Sequence, residues 1–288
     1  MGSWTRGSAM SKDLLRRLFR SKNALLGLAV ILSVSLVAIC APFFSPHDPY
    51  EQHLLERLKP PSPEHPLGTD AHGRDLLSRI FFGARISLMV GFISVGIGLG
   101  IGVPLGLAAG YGGRWWDDII MRIIDIMMAF PGVLLALVVV AILGPGLFNV
   151  MIAVGVWSVP MFARMVRASV LRLREEDFVQ AARAMGCGSF RVALRHLLPN
   201  CIAPILVLAS LRMATAILSA ATLSFLGLGA QPPTPDWGAM LSEGRKYLRT
   251  AWWFATFPGL AIMLTVLGFN LLGDGLRDAL DPRLRGVL

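Results

Sequence analysis

Side chains that could act as bases, nucleophiles or metal ligands are scattered along this chain of 288 residues. The five histidines, at positions 47, 53, 65, 72 and 196, lack cysteine or acidic partners at a ligand spacing, so the sequence predicts no metal site. No base and nucleophile pair accompanies His65, Asp70 or His72, which favours structural roles for them. The Gly-x-x-x-x-Gly-Lys-Ser/Thr loop that cradles nucleotide phosphates is also missing. We therefore expect no catalytic residue and no cofactor in this chain.

Polar side chains also stand inside the apolar stretches. Thr215, Ser219 and Thr222 follow a spacing of i, i+4 and i+7, which places three hydroxyls on one helix face. These hydroxyls either bond back to their own helix or line a polar path for a substrate, which Asn270 could join. Arg212 lies in the same stretch and needs water, a carbonyl or another helix, because a charge at mid-bilayer costs about 3 kcal/mol on insertion scales.

One long charged insertion, from Asp177 to Asn200, interrupts the apolar pattern. Gly186 follows the helical run 177–185, where a left-handed glycine commonly ends a helix. The insertion resembles the cytoplasmic loop by which membrane subunits of ABC importers engage their ATPases. The residues that carry this resemblance, and that it implies contact the ATPase, are Gln180, Ala181, Ala182, Arg183, Gly186, Leu198 and Pro199. A common form of the motif starts with Glu, so Gln180 is a departure that removes the acidic group.

Two further blocks resemble the permeases of the peptide and nickel class of ABC importers. One runs from His65 through Gly73-Arg74-Asp75 to Ser87, and the other joins residues 231–241 to residues 273–283. The second block contains a proline-dense loop that is expected to be rigid and exposed on the outer side. Such a loop either docks an extracytoplasmic binding protein or merely caps the helices. The candidate docking residues are Pro232, Pro233, Asp236 and Trp237.

The resemblance implies an all-helical permease subunit with defined partners. These are a homologous permease, two cytoplasmic ATPases that hold ATP and Mg²⁺, and an extracytoplasmic solute-binding protein. The implied cargo is a dipeptide, an oligopeptide or a glutathione-like peptide, with a nickel chelate as the alternative. An ion-coupled secondary transporter is the alternative from another class, but it would be expected to show inverted repeats and intramembrane acids at mid-span, which we do not find in the sequence.

Composition and hydropathy indicate the elements that position these residues. Hydrophobic residues make up 55% of the chain, and the mean hydropathy of +0.63 is that of an integral membrane protein. The net charge of +9 does not indicate nucleic-acid binding, because the basic residues stand between apolar segments. The sequence predicts an all-α fold with six membrane spans, over residues 24–44, 85–110, 122–143, 147–170, 201–229 and 252–272.

The distribution of Lys and Arg predicts the orientation of these spans. With six spans both termini share one face, which carries 18 basic residues against 7 on the other face. The positive-inside rule then places both termini and the Gln180 loop in the cytoplasm. The resemblance implies that the membrane is the inner membrane of a bacterial cell. The predicted divisions are a tail or interfacial helix 1–22, a span 23–44, an outer segment 45–84, a permease core 85–277 with a coupling loop 171–200, and a tail 278–288.

Two helix faces carry further expectations. Glycines recur every four residues from Gly98 to Gly110, forming a smooth stripe that allows another helix to approach closely. A dimer seam or a moving surface is the alternative reading of this stripe. Arg122 and Asp125 are three residues apart on one helix face and are expected to pair with each other near the cytoplasmic boundary.

Overall fold

A computed structural model describes residues 21–280 of the chain. This part consists of helices and loops without a β-strand. The predicted interfacial helix and C-terminal tail lie mostly outside the described residues. The α-helices are α1 Lys22–Phe44, α2 Leu76–Tyr111, α3 Arg114–Ala129, α4 Gly132–Leu143, α5 Leu147–Leu173, α6 Asp177–Ala184, α7 Ser189–Val192, α8 Leu198–Phe225, α9 Trp237–Gly244 and α10 Trp253–Leu280. Short 3₁₀ turns cover Leu54–Glu56 and Arg245–Tyr247, and a π-helical turn over Ala193–Leu197 joins α7 to α8.

The helices confirm the all-α membrane fold, but the third predicted span is interrupted. Within the described part, α1, α2, α5, α8 and α10 are each long and apolar enough to cross a membrane. The predicted third span is instead broken into α3 and α4, which meet at an angle of 94°. The break falls at Phe130 and Pro131, because a proline pushes the residue before it into extended backbone, as seen at Phe130.

The second span begins nine residues earlier than the sequence predicts. Asp75 caps α2 by accepting a hydrogen bond from the Ser78 amide at 2.8 Å. Residues Leu76 to Tyr111 form one continuous helix of 36 residues. The last helix, α10, likewise continues to Leu280, beyond the predicted end at residue 272.

The glycine stripe of α2 packs against α5 of the same chain. A Cβ atom added at Gly102 would lie 2.7 Å from the Phe162 Cβ atom and 2.7 Å from the Val159 carbonyl oxygen. Gly98, Gly106 and Gly110 meet α5 at similar distances. This confirms close helix packing as the role of the stripe. The alternative of a dimer seam is wrong for these four glycines, because their own chain buries them.

Contacts among the loops gather them at two ends of the helix bundle. At one end, the indole of Trp253 donates to the Thr69 carbonyl at 3.3 Å, so the segment before α2 meets the start of α10. At the other end, Arg183 of α6 donates to the Tyr111 hydroxyl at 3.0 Å. The fold thus places the loops at two ends of the bundle, and this grouping is the same as the one derived from the count of Lys and Arg residues.

Candidate functional site

The segment from Arg174 to Leu198, named here the coupling segment, is anchored to the bundle by one apolar face. Val179 of α6, Val192 of α7 and Leu197 are fully buried. They share a hydrophobic cluster with Val166 and Val170 of α5. Burial of such side chains is worth about 1.5–3 kcal/mol each. The segment is therefore held as a unit on the end of α5 and α8.

The other face of the coupling segment exposes large apolar side chains. Met185 is 77% exposed and Phe190 is 78% exposed, and Phe178 and Leu194 are also exposed. Apolar groups that stand together on a surface mark an interaction site when charged residues surround them. Arg191 and other basic side chains supply that charge here. The sequence analysis missed these residues, although their alternation with Val179 and Val192 in a charged segment is a usable signal.

Gly186 ends α6 with the backbone geometry that the sequence predicts. Its φ of +81° lies in the left-handed region. Its amide donates to the Arg183 carbonyl at 2.9 Å, and the Cys187 amide donates to the Ala182 carbonyl at 3.1 Å. These two bonds form a Schellman motif, which satisfies carbonyls at the end of the helix. A Cβ atom at Gly186 would have no atom within 4 Å, so backbone geometry alone favours glycine here.

The side chains of the motif differ in what they contact. Ala182 is buried and Ala181 is exposed, so only the second alanine needs a small side chain for the packing of this chain. The Gln180 amide nitrogen donates to the Glu175 carbonyl at 3.0 Å, a bond that an ionised glutamate could not make. Arg183 stacks over the Tyr111 ring with 4.8 Å between its Cζ atom and the ring centroid. Glutamine in place of glutamate at position 180 thus removes an acidic group and adds a hydrogen bond to the local backbone.

Leu198 and Pro199 form the first turn of α8, directly after the π-helical turn. Leu198 is half-buried against the same cluster as Val192, whereas Pro199 is exposed. The helical backbone runs without a break from Ser189 to Phe225, so Pro199 lies inside a continuous helix, just after its π-helical turn. The coupling segment therefore passes directly into a membrane helix.

Two ion pairs connect α3 to α5. Arg167 donates to both carboxylate oxygens of Asp117, with 2.7 Å between Nη2 and Oδ2. Arg164 donates to Asp125 at 2.6 Å. The expected pairing of Asp125 with Arg122 is therefore wrong, because Asp125 points to α5, while Arg122 is exposed.

The polar residues predicted to line a path are brought together only in part. Thr215 donates to the Arg212 carbonyl at 3.0 Å and Thr222 to the Leu218 carbonyl at 2.9 Å, as expected for hydroxyls that bond back to their helix. Both threonines are exposed on the chain, whereas Ser219 is buried. Asn270 is half-buried on α10. These bonds leave each threonine oxygen free to accept from another donor.

Arg212 is buried in the middle of α8. Its Cζ atom lies 5.5 Å from the centroid of the Trp157 ring, and its Nη1 atom lies 3.4 Å from the Thr215 hydroxyl. Its Nη2 atom is buried without a hydrogen-bond partner among the described residues. A cation and aromatic pair contributes about 0.5–2 kcal/mol, which does not offset the desolvation of an arginine at mid-bilayer.

The proline-dense loop divides into an exposed part and a structural part. Pro232 and Pro233 are exposed. Asp236 and Trp237 are buried, so their side chains are not available for docking in this structure. The Trp237 indole donates to the Ile80 carbonyl at 3.0 Å, and Asp236 caps α9. Burial raises the pKa of the Asp236 carboxyl above its usual value.

A histidine cluster lies at the same end, before α2. His65 contacts Asp75 through Nδ1 at 2.9 Å and Glu56 through Nε2 at 3.3 Å, and its ring lies 4.7 Å from that of His47. The expectation that the histidines lack acidic partners is therefore wrong for His47 and His65, and also for His53 beside Glu51 and His72 beside Asp70 and Glu243. A hydrogen bond from Lys59, followed by His65, lowers the pKa of the Glu56 carboxyl. The cluster fixes the segment before α2 on the cap of that helix.

Comparison with known families agrees with this arrangement. The family described as binding-protein-dependent transport system inner membrane component matches residues 102–286. The family described as N-terminal TM domain of oligopeptide transport permease C matches residues 10–61. Together they cover the first span, the broken span and the coupling segment.

Individual proteins show the same relationship. The chain is 52% identical over 274 residues to the dipeptide transport system permease protein DppC of Alkalihalophilus pseudofirmus, covering 95% of this chain and 90% of that protein. It is 48% identical to the di/tripeptide transport system permease protein DppC of Pseudomonas aeruginosa, covering 96% and 93%. It is 50% identical to the glutathione transport system permease protein GsiD of Escherichia coli, covering 94% and 90%.

The fold is also similar to that of a solved transporter. The inward-facing MetNI methionine ABC transporter is 20% identical with a TM-score of 0.56, covering 70% of this chain and 97% of that chain. At this identity the likeness concerns the fold alone. The family match spans more than half of the residues and agrees with relatives about half identical over nearly the full length. The chain therefore belongs to the inner membrane components of binding-protein-dependent transport systems, and is a multi-pass permease subunit of the ABC importer class.

Proposed function

We propose that this permease moves short peptides, such as dipeptides, oligopeptides or glutathione, across the bacterial inner membrane in an ATP-driven importer. Relatives named for dipeptide, di/tripeptide and glutathione transport are about half identical to nearly all of the chain, which supports a peptide cargo. Membership of the family removes the alternative of an ion-coupled secondary transporter.

We propose that the ATPase partners dock on the coupling segment. Its buried face fixes it to α5, and its exposed face presents Met185 and Phe190 beside basic side chains. We expect Gln180, Ala181, Ala182, Arg183, Gly186, Leu198 and Pro199 to form or shape this docking surface. Two ATPase subunits bind there, hold ATP and Mg²⁺, and perform the hydrolysis, so the chain itself is not an enzyme.

The proline-dense loop and the polar face of α8 are the proposed contact sites for the remaining partners. Pro232 and Pro233 are exposed and rigid, which suits docking of a solute-binding protein, while Asp236 and Trp237 hold the loop in place. A homologous permease completes the path between two subunits. Thr215, Ser219, Thr222 and Asn270 contribute polar groups to that path.

Transport then follows from two states of the assembly. Closure of the ATPases on ATP displaces the coupling segment, and the anchoring contacts transmit the displacement to α5 and α8. ATP thereby shifts the population between inward and outward access, through contacts that differ between the two states. Both termini and the coupling segment lie in the cytoplasm in this arrangement, where the ATPases are found.

Reconstitution tests the proposal directly. The assembled complex in proteoliposomes, supplied with its binding protein and ATP, should take up labelled alanyl-alanine, and an excess of unlabelled peptide should compete better than a nickel chelate. The purified chain alone should hydrolyse no ATP. Uptake that continues without ATP, or hydrolysis by the chain alone after removal of contaminating ATPases, would disprove the assignment.

A further inference from the structure

Arg212 lies too deep in the membrane for a lipid headgroup to neutralise it. It stands 14 residues after the first residue of α8 and 13 before the last. At a rise of 1.5 Å per residue, it is about 20 Å from either end of the helix. An arginine side chain cannot span this distance, so a phosphate at the membrane surface is not its partner.

The described chain also leaves the charge of Arg212 without a counter-ion. The guanidinium meets the Trp157 ring and, at 3.4 Å, the Thr215 hydroxyl, and no carboxylate forms an ion pair with it among residues 21–280. The Nη2 atom is buried and donates to nothing there. A buried, unpaired guanidinium inside a span is therefore a site prepared for an anion.

The broken span lies beside this guanidinium. Trp157 packs so closely on Gly132 that a Cβ atom there would lie 1.8 Å from the indole. Gly132 is the first residue of α4, directly after the 94° bend. Irregular backbone at membrane depth persists where it is buried in protein or lines a cavity, and transporters bind substrate at such broken helices.

The same guanidinium joins the polar face of α8. Arg212, Thr215, Ser219 and Thr222 stand at i, i+3, i+7 and i+10, which places them along one side of the helix. Thr215 and Thr222 are exposed on this chain, and Arg212 itself is 9% exposed. The buried charge thus adjoins a polar face that reaches the exposed surface of this chain.

We propose that Arg212 binds the carboxylate of the substrate as it passes through the membrane, with Thr215 as its neighbouring hydroxyl. This inference rests on the proposed transport of peptides, whose free C-terminal carboxylate must cross the apolar interior. A guanidinium offers two parallel N–H groups that match a carboxylate, and Nη2 is the buried donor that the described residues leave without a hydrogen-bond partner. Arg212 is therefore a residue that selects for cargo with a free C-terminal carboxylate.

The test compares a peptide with and without that carboxylate. Proteoliposomes containing the assembled complex receive labelled alanyl-alanine or its C-terminal amide, each with enough binding protein to saturate transport. Wild-type complex should transport the acid. Arg212→Gln should lower uptake of the acid about tenfold, as expected when a charged hydrogen bond is lost, and leave uptake of the amide unchanged. Arg212→Lys should retain part of the uptake, and Arg249→Gln, which removes an exposed outer charge, should match wild type.

The remaining outcomes overturn the inference in separate ways. Equal loss of acid and amide uptake, or no loss of either, would show that Arg212 does not recognise the carboxylate. Loss of the homologous permease from purified Arg212→Gln complex would assign the guanidinium to a subunit contact. Failure of the wild type to transport either peptide would instead disprove the proposed function, and this inference with it.

Discussion

At Gly186 the backbone, and not the surrounding packing, requires glycine. The residue has a φ of +81°, and there is open space around the position that a side chain would take. Gly188, two residues later, has equally open space but a φ of −64°. The two positions therefore separate the effect of backbone conformation from the effect of added volume.

We expect Gly186→Val to disturb coupling while Gly188→Val does not. Valine at a left-handed position costs about 1–2 kcal/mol, which is enough to re-aim α6 but too little to unfold the protein. Stimulation of ATP hydrolysis by the loaded binding protein should fall about fivefold in the Gly186→Val complex. The measurement is made on complexes of equal abundance in membranes. Equal activities of the two variants would show that Gly186 merely ends a surface loop.

At the residue scale, the sequence predicted local backbone better than side-chain partners. The left-handed Gly186 follows from a helical run and its neighbours, which are local in sequence. The pairing of Asp125 with Arg164 joins residues 39 positions apart and depends on how α3 packs on α5. Exposure of Met185 and Phe190 likewise depends on which face of the coupling segment the bundle covers.

At the scale of elements, the packing of α2 on α5 is set by glycine. Gly102 faces α5 at van der Waals contact, whereas Gly100, on the same helix, has no atom within 4 Å of a would-be Cβ and is exposed. The break between α3 and α4 was harder to predict, because the sequence stays apolar across it. Hydropathy does not show whether an apolar segment is straight or bent. Pro131 is its signal in sequence, but prolines inside α2, α5, α8 and α10 leave those helices continuous.

We expect Gly102→Leu to destabilise the protein and Gly100→Leu to be tolerated. A side chain at Gly102 must push α5 away, and overpacking of this kind costs about 1–3 kcal/mol. The thermal midpoint of the detergent-purified chain should fall by about 5 °C for Gly102→Leu and stay near wild type for Gly100→Leu. The same midpoint for both variants would contradict the packing that the structure shows.

At the scale of the whole molecule, the distribution of basic residues and the fold assign the loops to the same two opposite ends. The segment before α2 and the loop before α10 meet through Trp253 and Thr69, while Tyr111 meets Arg183 at the other end. The sequence could predict this division because hydropathy and basic residues are summed over long segments. It could not predict that α2 continues into the outer segment, since Leu76 to Arg85 contains charges that folding buries, such as Arg79.

The orientation of the molecule can be measured by labelling from outside the cell. Single cysteines replace Ser189 and Gln231, both exposed, in a chain whose native cysteines at positions 40, 187 and 201 are removed. An impermeant thiol reagent should label Gln231→Cys in intact cells and Ser189→Cys only after the membrane is opened, because basic residues favour the cytoplasm. The reverse pattern would invert the proposed topology.

Contact between the coupling segment and an ATPase is the central claim. A photoreactive p-benzoylphenylalanine is placed at Phe190, which is 78% exposed on that segment, or at Phe92, which is exposed on the membrane part of α2. Irradiation of the assembled transporter should cross-link position 190 to an ATPase subunit and leave position 92 without such a product. Absence of the product from position 190, in complexes that contain both ATPases, would contradict the account.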